Sequence, residues 1–284
     1  MNKKLFTAAV GISFAAFLRA EEGSNADEVN FDDIRSIQGS PLSLNVNIRF
    51  DSEDTTFGCK GVKRSPFFTE DISVIYPFSD SGKIYVGNEN DLYLKDASFN
   101  SHSFYLGSSY GINDLFTADL RYTYTLIGGG RKIRQETRSE GKKDHRHALR
   151  ALVKANTFLK PSLAYTYNLT LRRSNIKSTI GHTFDLASLG INKFSVNLGA
   201  HLGYAHTQRP SGKKGLFETG GDFNGWKKGW LYYGANTDLV YAYNENVSAS
   251  VGVNYQGANQ KKAYLLKKGR KNAVWGSCSI SCAF

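Results

Sequence analysis

The chain has 284 residues and a formal net charge of +11, and it is rich in glycine and aromatic residues, with 28 Gly, 16 Tyr and 18 Phe against 5 Pro and 1 Met. This composition is typical of strands and turns, and no apolar run after residue 20 approaches the roughly eighteen residues of a spanning helix, which excludes a helical membrane protein. The three cysteines form no evident disulfide framework, because Cys278 and Cys282 are four residues apart on one predicted strand, about 13 Å at strand rise.

The first twenty residues have the layout of an export signal. Lys3 and Lys4 precede an apolar stretch that ends at Leu18, too short for a spanning helix, and Ala20 is the predicted cleavage position. Residues 21–40 are acidic, lack periodicity and contain Gly and Ser, which favours a flexible lead-in. We therefore predict a signal peptide over 1–20, a periplasmic lead-in over 21–40 and one exported domain over 41–284.

From Pro41 onward, about twelve segments alternate apolar with polar residues. Each is long enough for a tilted strand of roughly nine to eleven residues to cross a membrane. The polar positions are mostly Ser, Thr, Asn and Gly, which suits a narrow wet lumen better than the solvent face of a soluble sandwich. We predict an all-β fold, a transmembrane antiparallel up-and-down β-barrel. The clearest segments are 41–50, 115–127, 162–172 and 194–204.

The predicted connections alternate between short and long, as they do in barrels of this type. The alternation predicts an even number of strands, with the short turns and both termini on the periplasmic side. The short connections are 79–82, 111–114, 159–161, 188–192 and 244–246. Aromatic residues flank both sets, as interfacial girdles require. Those toward the long loops are Phe50, Tyr124, Tyr204, Trp230 and Tyr255.

The chain ends on an alternating strand in which Phe284, Cys282 and Ile280 share one parity and serines occupy the other. A free apolar edge strand would invite aggregation. We therefore predict that the last strand pairs with the first to close the barrel. We also predict that these three residues form an assembly signal for the barrel-assembly machinery.

Basic residues are concentrated in the predicted long loops, most densely at 131–147 and 260–271. Basic runs often bind nucleic acid. In an exported chain whose loops lie above a membrane, lipid phosphate is the nearer polyanion. We expect contact with outer-membrane lipid, including lipopolysaccharide phosphates, and no nucleic-acid partner. Loops that are merely solvated explain the same runs equally well.

The stretch RFDSEDTTFGCKGVKRS resembles the first strand and loop of the TorF-like porins and related bacterial outer-membrane β-barrel proteins. The resemblance continues through ISVIYPF, LKPSLAYTYN, IGHTFDL and NAVWGSCSISCAF, so it spans most of the exported domain. It departs at FGCKG, where the family has Phe-Arg-Gly. The resemblance implies a Gram-negative outer-membrane barrel with a porin-like role, and it supplies no catalytic residue.

Charged residues on the predicted lumenal parity suggest what such a barrel would pass. The basic ones outnumber the acidic ones, which predicts a small channel with weak anion preference, since fixed charges bias which ions enter a pore. The basic set is Arg49, Arg121, Arg150, Lys154, Arg172 and Lys177, and the acidic set is Glu89, Asp119, Asp185 and Asp238.

Two other functions stay open at this point. A barrel enzyme would need a nucleophile or activated water beside an oriented base, and His201 with Asp238 on the neighbouring strand is the one lumenal pair we find. His145 and His147, in a predicted basic loop, lack a convincing third metal ligand. A barrel plugged by its own side chains could serve as a structural or surface-interaction protein. We predict no catalytic residue, metal or cofactor, and the sequence leaves the oligomeric state open.

Overall fold

The computed structural model describes residues 42–52, 55–56, 59–60, 66–94, 100–127, 144–170, 172–207, 229–259 and 272–284. A 3₁₀ turn lies at Ala187–Leu189, and no described helix is long and apolar enough to cross a membrane. The strands are β1 (Ser43–Asp51), β2 (Thr55–Thr56), β3 (Cys59–Lys60), β4 (Phe67–Pro77), β5 (Gly82–Tyr93), β6 (Ser101–Asn113), β7 (Phe116–Ile127), β8 (Asp144–Ala155), β9 (Ser162–Asn168), β10 (Arg173–Asp185), β11 (Phe194–Thr207), β12 (Gly229–Ala242), β13 (Val247–Ala258) and β14 (Asn272–Ala283).

Twelve of these strands, β1 and β4 to β14, form a closed antiparallel barrel in which chain neighbours are also sheet neighbours. β2 and β3 pair only with each other. The predicted twelve-stranded up-and-down barrel is therefore confirmed. The predicted signal peptide and lead-in, and the basic runs at 131–143 and 260–271, lie outside the described residues.

The barrel closes between its first and last strands, as the alternating C-terminal segment predicts. β14 pairs antiparallel with β1, and Ile48 lies opposite Ile280. The backbone N–H groups of Leu44 and Phe284 each donate to the other's carbonyl at 2.8 Å. Inside the barrel, Trp275 Nε1 donates to Asp51 Oδ1 at 3.0 Å. Side chains as well as backbone thus hold this seam.

The two faces of the wall differ as the alternation predicts. Large apolar side chains on the outer face are exposed, with Leu120 at 63% and Val251 at 58%. The inner positions of the same strands carry mainly Ser, Thr, Asn, Tyr and charged residues, many of them buried or half-buried. Because side chains alternate across a strand, each strand contributes one residue in two to a polar interior.

Short hairpins at one end of the barrel are fixed by asparagine side chains. Asn113 Oδ1 accepts from the backbone N–H groups of Leu115 and Phe116 at 3.0 and 2.8 Å. Asn244 Oδ1 accepts from those of Asn246 and Val247 at 2.9 and 2.8 Å. Asparagine closes tight turns in this way by bonding to backbone two or three residues ahead. The other short connections at this end are 78–81, 156–161 and 186–193.

Candidate functional site

The interior of the barrel holds nearly all of the predicted pore-lining residues. The exception is Arg172. The others occupy inward positions on strands: Arg49 on β1, Asp119 and Arg121 on β7, Arg150 and Lys154 on β8, Lys177 and Asp185 on β10, His201 on β11 and Asp238 on β12.

Arg172 does not lie on a strand, which corrects its predicted place in the wall. It is exposed in the turn between β9 and β10, with φ 50°. The next residue, Arg173, opens β10 opposite Asn168, and its guanidinium lies 5.8 Å from the centroid of the Trp230 ring. Trp230 is only 4% exposed and pairs with Ala205, so its predicted place in the outer aromatic girdle is wrong.

An acidic wall, defined here as Asp71, Glu89 and Asp91, lies on β4 and β5. Asp91 accepts hydrogen bonds from the hydroxyls of Thr69 and Ser101, both at 2.9 Å. Asp71 accepts from the Tyr105 hydroxyl at 2.5 Å. Glu89 lies 3.6 Å from Arg121. Each carboxylate of this wall therefore has a partner on a nearby strand.

Of the acidic wall, only Glu89 belongs to the set of residues predicted to line the lumen. Asp71 lies near the start of β4, which begins at Phe67. The signal was present, since Thr69, Asp71 and Ser73 alternate with apolar or outward positions. Charged residues at the mixed start of a strand blur the apolar pattern on which such predictions depend.

Two tyrosines brace the acidic wall by crossing glycines. Tyr85 lies opposite Gly107, and Tyr105 lies opposite Gly87. A Cβ on Gly87 would lie 2.3 Å from the Tyr105 ring, so only glycine leaves room there. Each ring crosses the adjacent strand, and Tyr85 donates to Asp119 Oδ2 at 2.7 Å. The two hydroxyls thereby connect β6 to β4 and β5 to β7.

The same arrangement recurs on the other side of the barrel. Tyr232 of β12 lies across Gly203 of β11 and donates to Asn175 of β10 at 2.8 Å. A Cβ on Gly203 would lie 2.1 Å from that ring. Tyrosines therefore extend along the wall to the second strand away, which leaves them flat against the sheet.

Arg121 stands where the acidic wall meets a basic one. Its guanidinium carbon lies 3.6 Å from the centroid of the Tyr105 ring, and one terminal nitrogen lies 3.6 Å from Glu89 Oε2. Its Nε is buried and has no hydrogen-bond partner among the described residues. A guanidinium on an aromatic face gains a cation–π attraction, so this side chain is held in one place while keeping an unused donor.

A basic wall, defined here as Arg121, Arg150 and Lys177, continues from that point. Arg150 is the register partner of Arg121, and Lys177 lies on β10, two strands from Arg150. Outside the backbone ladder, the side chains of Arg150 and Lys177 make no hydrogen bond to the part of the chain that the structure describes. β10 is the sixth strand from β4 in either direction around the barrel, so Lys177 lies across the lumen from β4, whereas Arg121 lies on β7, only two strands from β5.

The predicted pairing of His201 with Asp238 is wrong. The register partner of His201 is Gly234, four residues from Asp238, or about 13 Å at strand rise. Asp238 instead accepts from Asn236 Nδ2 at 2.7 Å. The backbone register alone separates the two groups, so no base and orienting carboxylate meet here.

His145 and His147 lie on β8, not in a loop as predicted, and both are on the outer face. They are hydrogen-bonded through Nδ1 to the hydroxyls of Tyr124 and Tyr122, at 2.5 and 2.6 Å. Within the described ranges, no group of three or more His, Cys, Asp or Glu residues could hold a metal ion. These histidines therefore belong to an aromatic cluster at the outer surface.

Comparison with known proteins gives similarity in shape only. No protein-family model matches the chain, and no curated protein matches it in sequence. Among solved structures, the KdgM porin is 11% identical, with 85% of this chain and 99% of that chain covered and a TM-score of 0.43. LpxR from Salmonella typhimurium is 10% identical, with 84% and 99% covered and a TM-score of 0.48. The NanC porin is 12% identical, with 86% and 98% covered and a TM-score of 0.43. The resemblance to the TorF-like porins stays a prediction.

Proposed function

We propose that this protein is an outer-membrane β-barrel that forms a small channel for passive diffusion of small solutes, with weak preference for anions. The observation that carries the proposal is the divided lumen. Its acidic wall is hydrogen-bonded within the barrel, while the side chains of Arg150 and Lys177 make no hydrogen bond to a described residue.

The outer surface supports a membrane location. A closed barrel pairs its backbone polar groups between strands, and an apolar outer band can then face hydrocarbon. Exposed Leu120, Leu198 and Val251 provide such a band on β7, β11 and β13. We place the barrel in the bacterial outer membrane, where its basic loops would meet lipid phosphate.

The closing strand supports the proposed assembly signal. Phe284, with Ile280 and Cys282, would be recognised by the barrel-assembly machinery before the strand pairs with β1. The abundance of a variant without Phe284 in outer-membrane fractions tests this role. An amount equal to that of the unaltered protein would contradict it.

The anion preference is better supported by which lumenal charges are paired than by how many charges of each sign there are. The lumen contains acids beyond the predicted set, including Asp51, Asp71 and Asp91. Asp51, however, is paired with Arg49 at 2.8 Å, and the other two accept hydrogen bonds from hydroxyls. The positive side chains of Arg150 and Lys177, which make no hydrogen bond to a described residue, are left to act on passing ions.

A plugged structural barrel is the competing function. The hydrogen bonds described above argue against it, because they join strands that are neighbours or next but one around the wall. They extend along the wall and do not cross the lumen. We also propose that the barrel is not an enzyme, since its register separates His201 from Asp238.

The decisive experiment records single channels in planar bilayers after verified insertion. Arg150→Glu should move the permeability ratio toward cations by roughly two- to fivefold, because it reverses an unpaired lumenal charge. Arg172→Glu is the matched control, with the same change in net charge placed in a turn, and it should change the ratio little. Inserted protein without conductance would reject the channel and favour the plugged barrel. Equal shifts in both variants would reject the proposed role of Arg150.

A further inference from the structure

We infer that the lumen contains a binding site for a small multivalent oxyanion, formed by the basic wall of Arg121, Arg150 and Lys177. The inference rests on the proposed function in one respect, that solute reaches the lumen from at least one side. Beyond that function, we infer that these three side chains bind an anion and do not only bias which ions pass.

The register of β7 against β8 places two arginines directly opposite each other. Arg121 and Arg150 lie directly opposite each other on the inner faces of β7 and β8. Like charges placed opposite each other on one face of a sheet repel. Arg121 has Glu89 at 3.6 Å, but Arg150 has no hydrogen-bond acceptor within the described residues. An oxyanion between the guanidinium groups would turn this repulsion into attraction.

The guanidinium of Arg121 is already held in place without an anion. Tyr105 supports its guanidinium at 3.6 Å, and Asp71 in turn fixes the Tyr105 hydroxyl. Its Nε is buried and lacks an acceptor among the described residues. Guanidinium donors have a fixed fork geometry that matches carboxylate and phosphate oxygens. A fork already fixed in place loses little conformational entropy when an anion binds.

Only small side chains on β9 lie between Arg150 and Lys177. Lys177 lies opposite Ala164 of β9, and Arg150 lies opposite Thr166 of the same strand. Both intervening side chains are small, so no large group on β9 separates the ammonium from the guanidinium. Three positive charges on neighbouring inward positions favour an anion of charge two or more over a monovalent one.

Binding of inorganic phosphate to the refolded full chain in neutral detergent tests the site by isothermal titration calorimetry. We expect saturable binding of one phosphate per chain and much weaker binding of acetate. Arg150→Gln should weaken phosphate binding about tenfold or more, because a charge-assisted hydrogen-bonding partner is lost. Arg172→Gln is the matched control and should bind as the unaltered chain does. Heat-modifiable migration verifies that each variant is folded.

Non-saturable binding, unchanged affinity in Arg150→Gln, or an equal loss in Arg172→Gln would overturn the site. The same preparations placed in bilayers separate this inference from the proposed function. Phosphate binding without conductance keeps the site and rejects the channel, whereas conductance without phosphate binding keeps the channel and rejects the site.

Discussion

The acidic wall on β4 and β5 and the basic wall on β7, β8 and β10 line the same interior and meet at Glu89 and Arg121, yet their side chains are held differently. Asp91 accepts hydrogen bonds from hydroxyls on the two neighbouring strands, and Asp71 accepts one from a hydroxyl two strands away. The side chains of Arg150 and Lys177 make no hydrogen bond to a described residue. The fixed charges in this lumen therefore divide into those that hold the wall together and those that can act on a solute.

The neighbouring side chains explain the difference. Beside the acidic wall, Gly87 and Gly107 make room for tyrosines long enough to reach the second strand away. Beside the basic wall, β9 presents Ala164 and Thr166, which are too short to reach across in the same way. Carboxylates accept from tyrosine hydroxyls, while the guanidinium of Arg150 and the ammonium of Lys177 make no hydrogen bond to the described side chains of β9.

The largest effect should come from breaking the brace of the acidic wall with Gly87→Ala. The new Cβ would meet the Tyr105 ring at 2.3 Å and the Ile72 carbonyl oxygen at 2.7 Å. Because the backbone oxygen cannot move aside cheaply, we expect a loss of about 2–4 kcal/mol in the free energy of unfolding. Urea unfolding of the refolded barrel measures it.

Gly111→Ala is the matched control on the next strand. Its Cβ would come no closer than 3.6 Å to another heavy atom, in Ser81. We expect a change within about 0.5 kcal/mol, as for substitutions that create no clash. Similar losses in the two variants would contradict the bracing role of Gly87.

A smaller loss should follow from Tyr105→Phe, which keeps the ring against Arg121 but removes the hydrogen bond to Asp71. We expect about 1.5–3 kcal/mol, the range for a hydrogen bond to a charged group. Tyr165→Phe, on the outer face of β9, is the control and should be nearly neutral. The same urea titration compares them, and an undiminished stability in Tyr105→Phe would remove the hydroxyl from the brace.

The smallest effect should come from Glu89→Gln. This substitution removes the carboxylate beside Arg121, so the positive charge of Arg121 is no longer offset and adds to that of Arg150 and Lys177. Without the carboxylate at 3.6 Å, more of the guanidinium charge acts on the lumen. We expect anion preference to rise by roughly twofold or less, since the lost attraction is partly screened by water. Reversal potentials under a salt gradient measure it. A shift toward cations would contradict this account of Arg121.

The sequence was sufficient for the barrel and for much of its inner face. Alternation within a strand is local, because successive side chains point to opposite faces. It therefore predicted the inward positions of Arg121 and Arg150, and the pattern of the last strand predicted the pairing of β14 with β1. It failed at Arg172, where a turn interrupts the parity, and at Trp230, where neighbouring aromatic residues obscure which face is polar.

Only the tertiary structure decided which side chains meet across strands. The separation of His201 from Asp238 follows from the register of β11 against β12, which no pattern within either strand encodes. Tyr105 meets Asp71 thirty-four residues away because Gly87 lies between them in the sheet. Pairing of this kind depends on strand register, on small residues in the intervening strand and on side-chain reach, and these act together only after the barrel has closed.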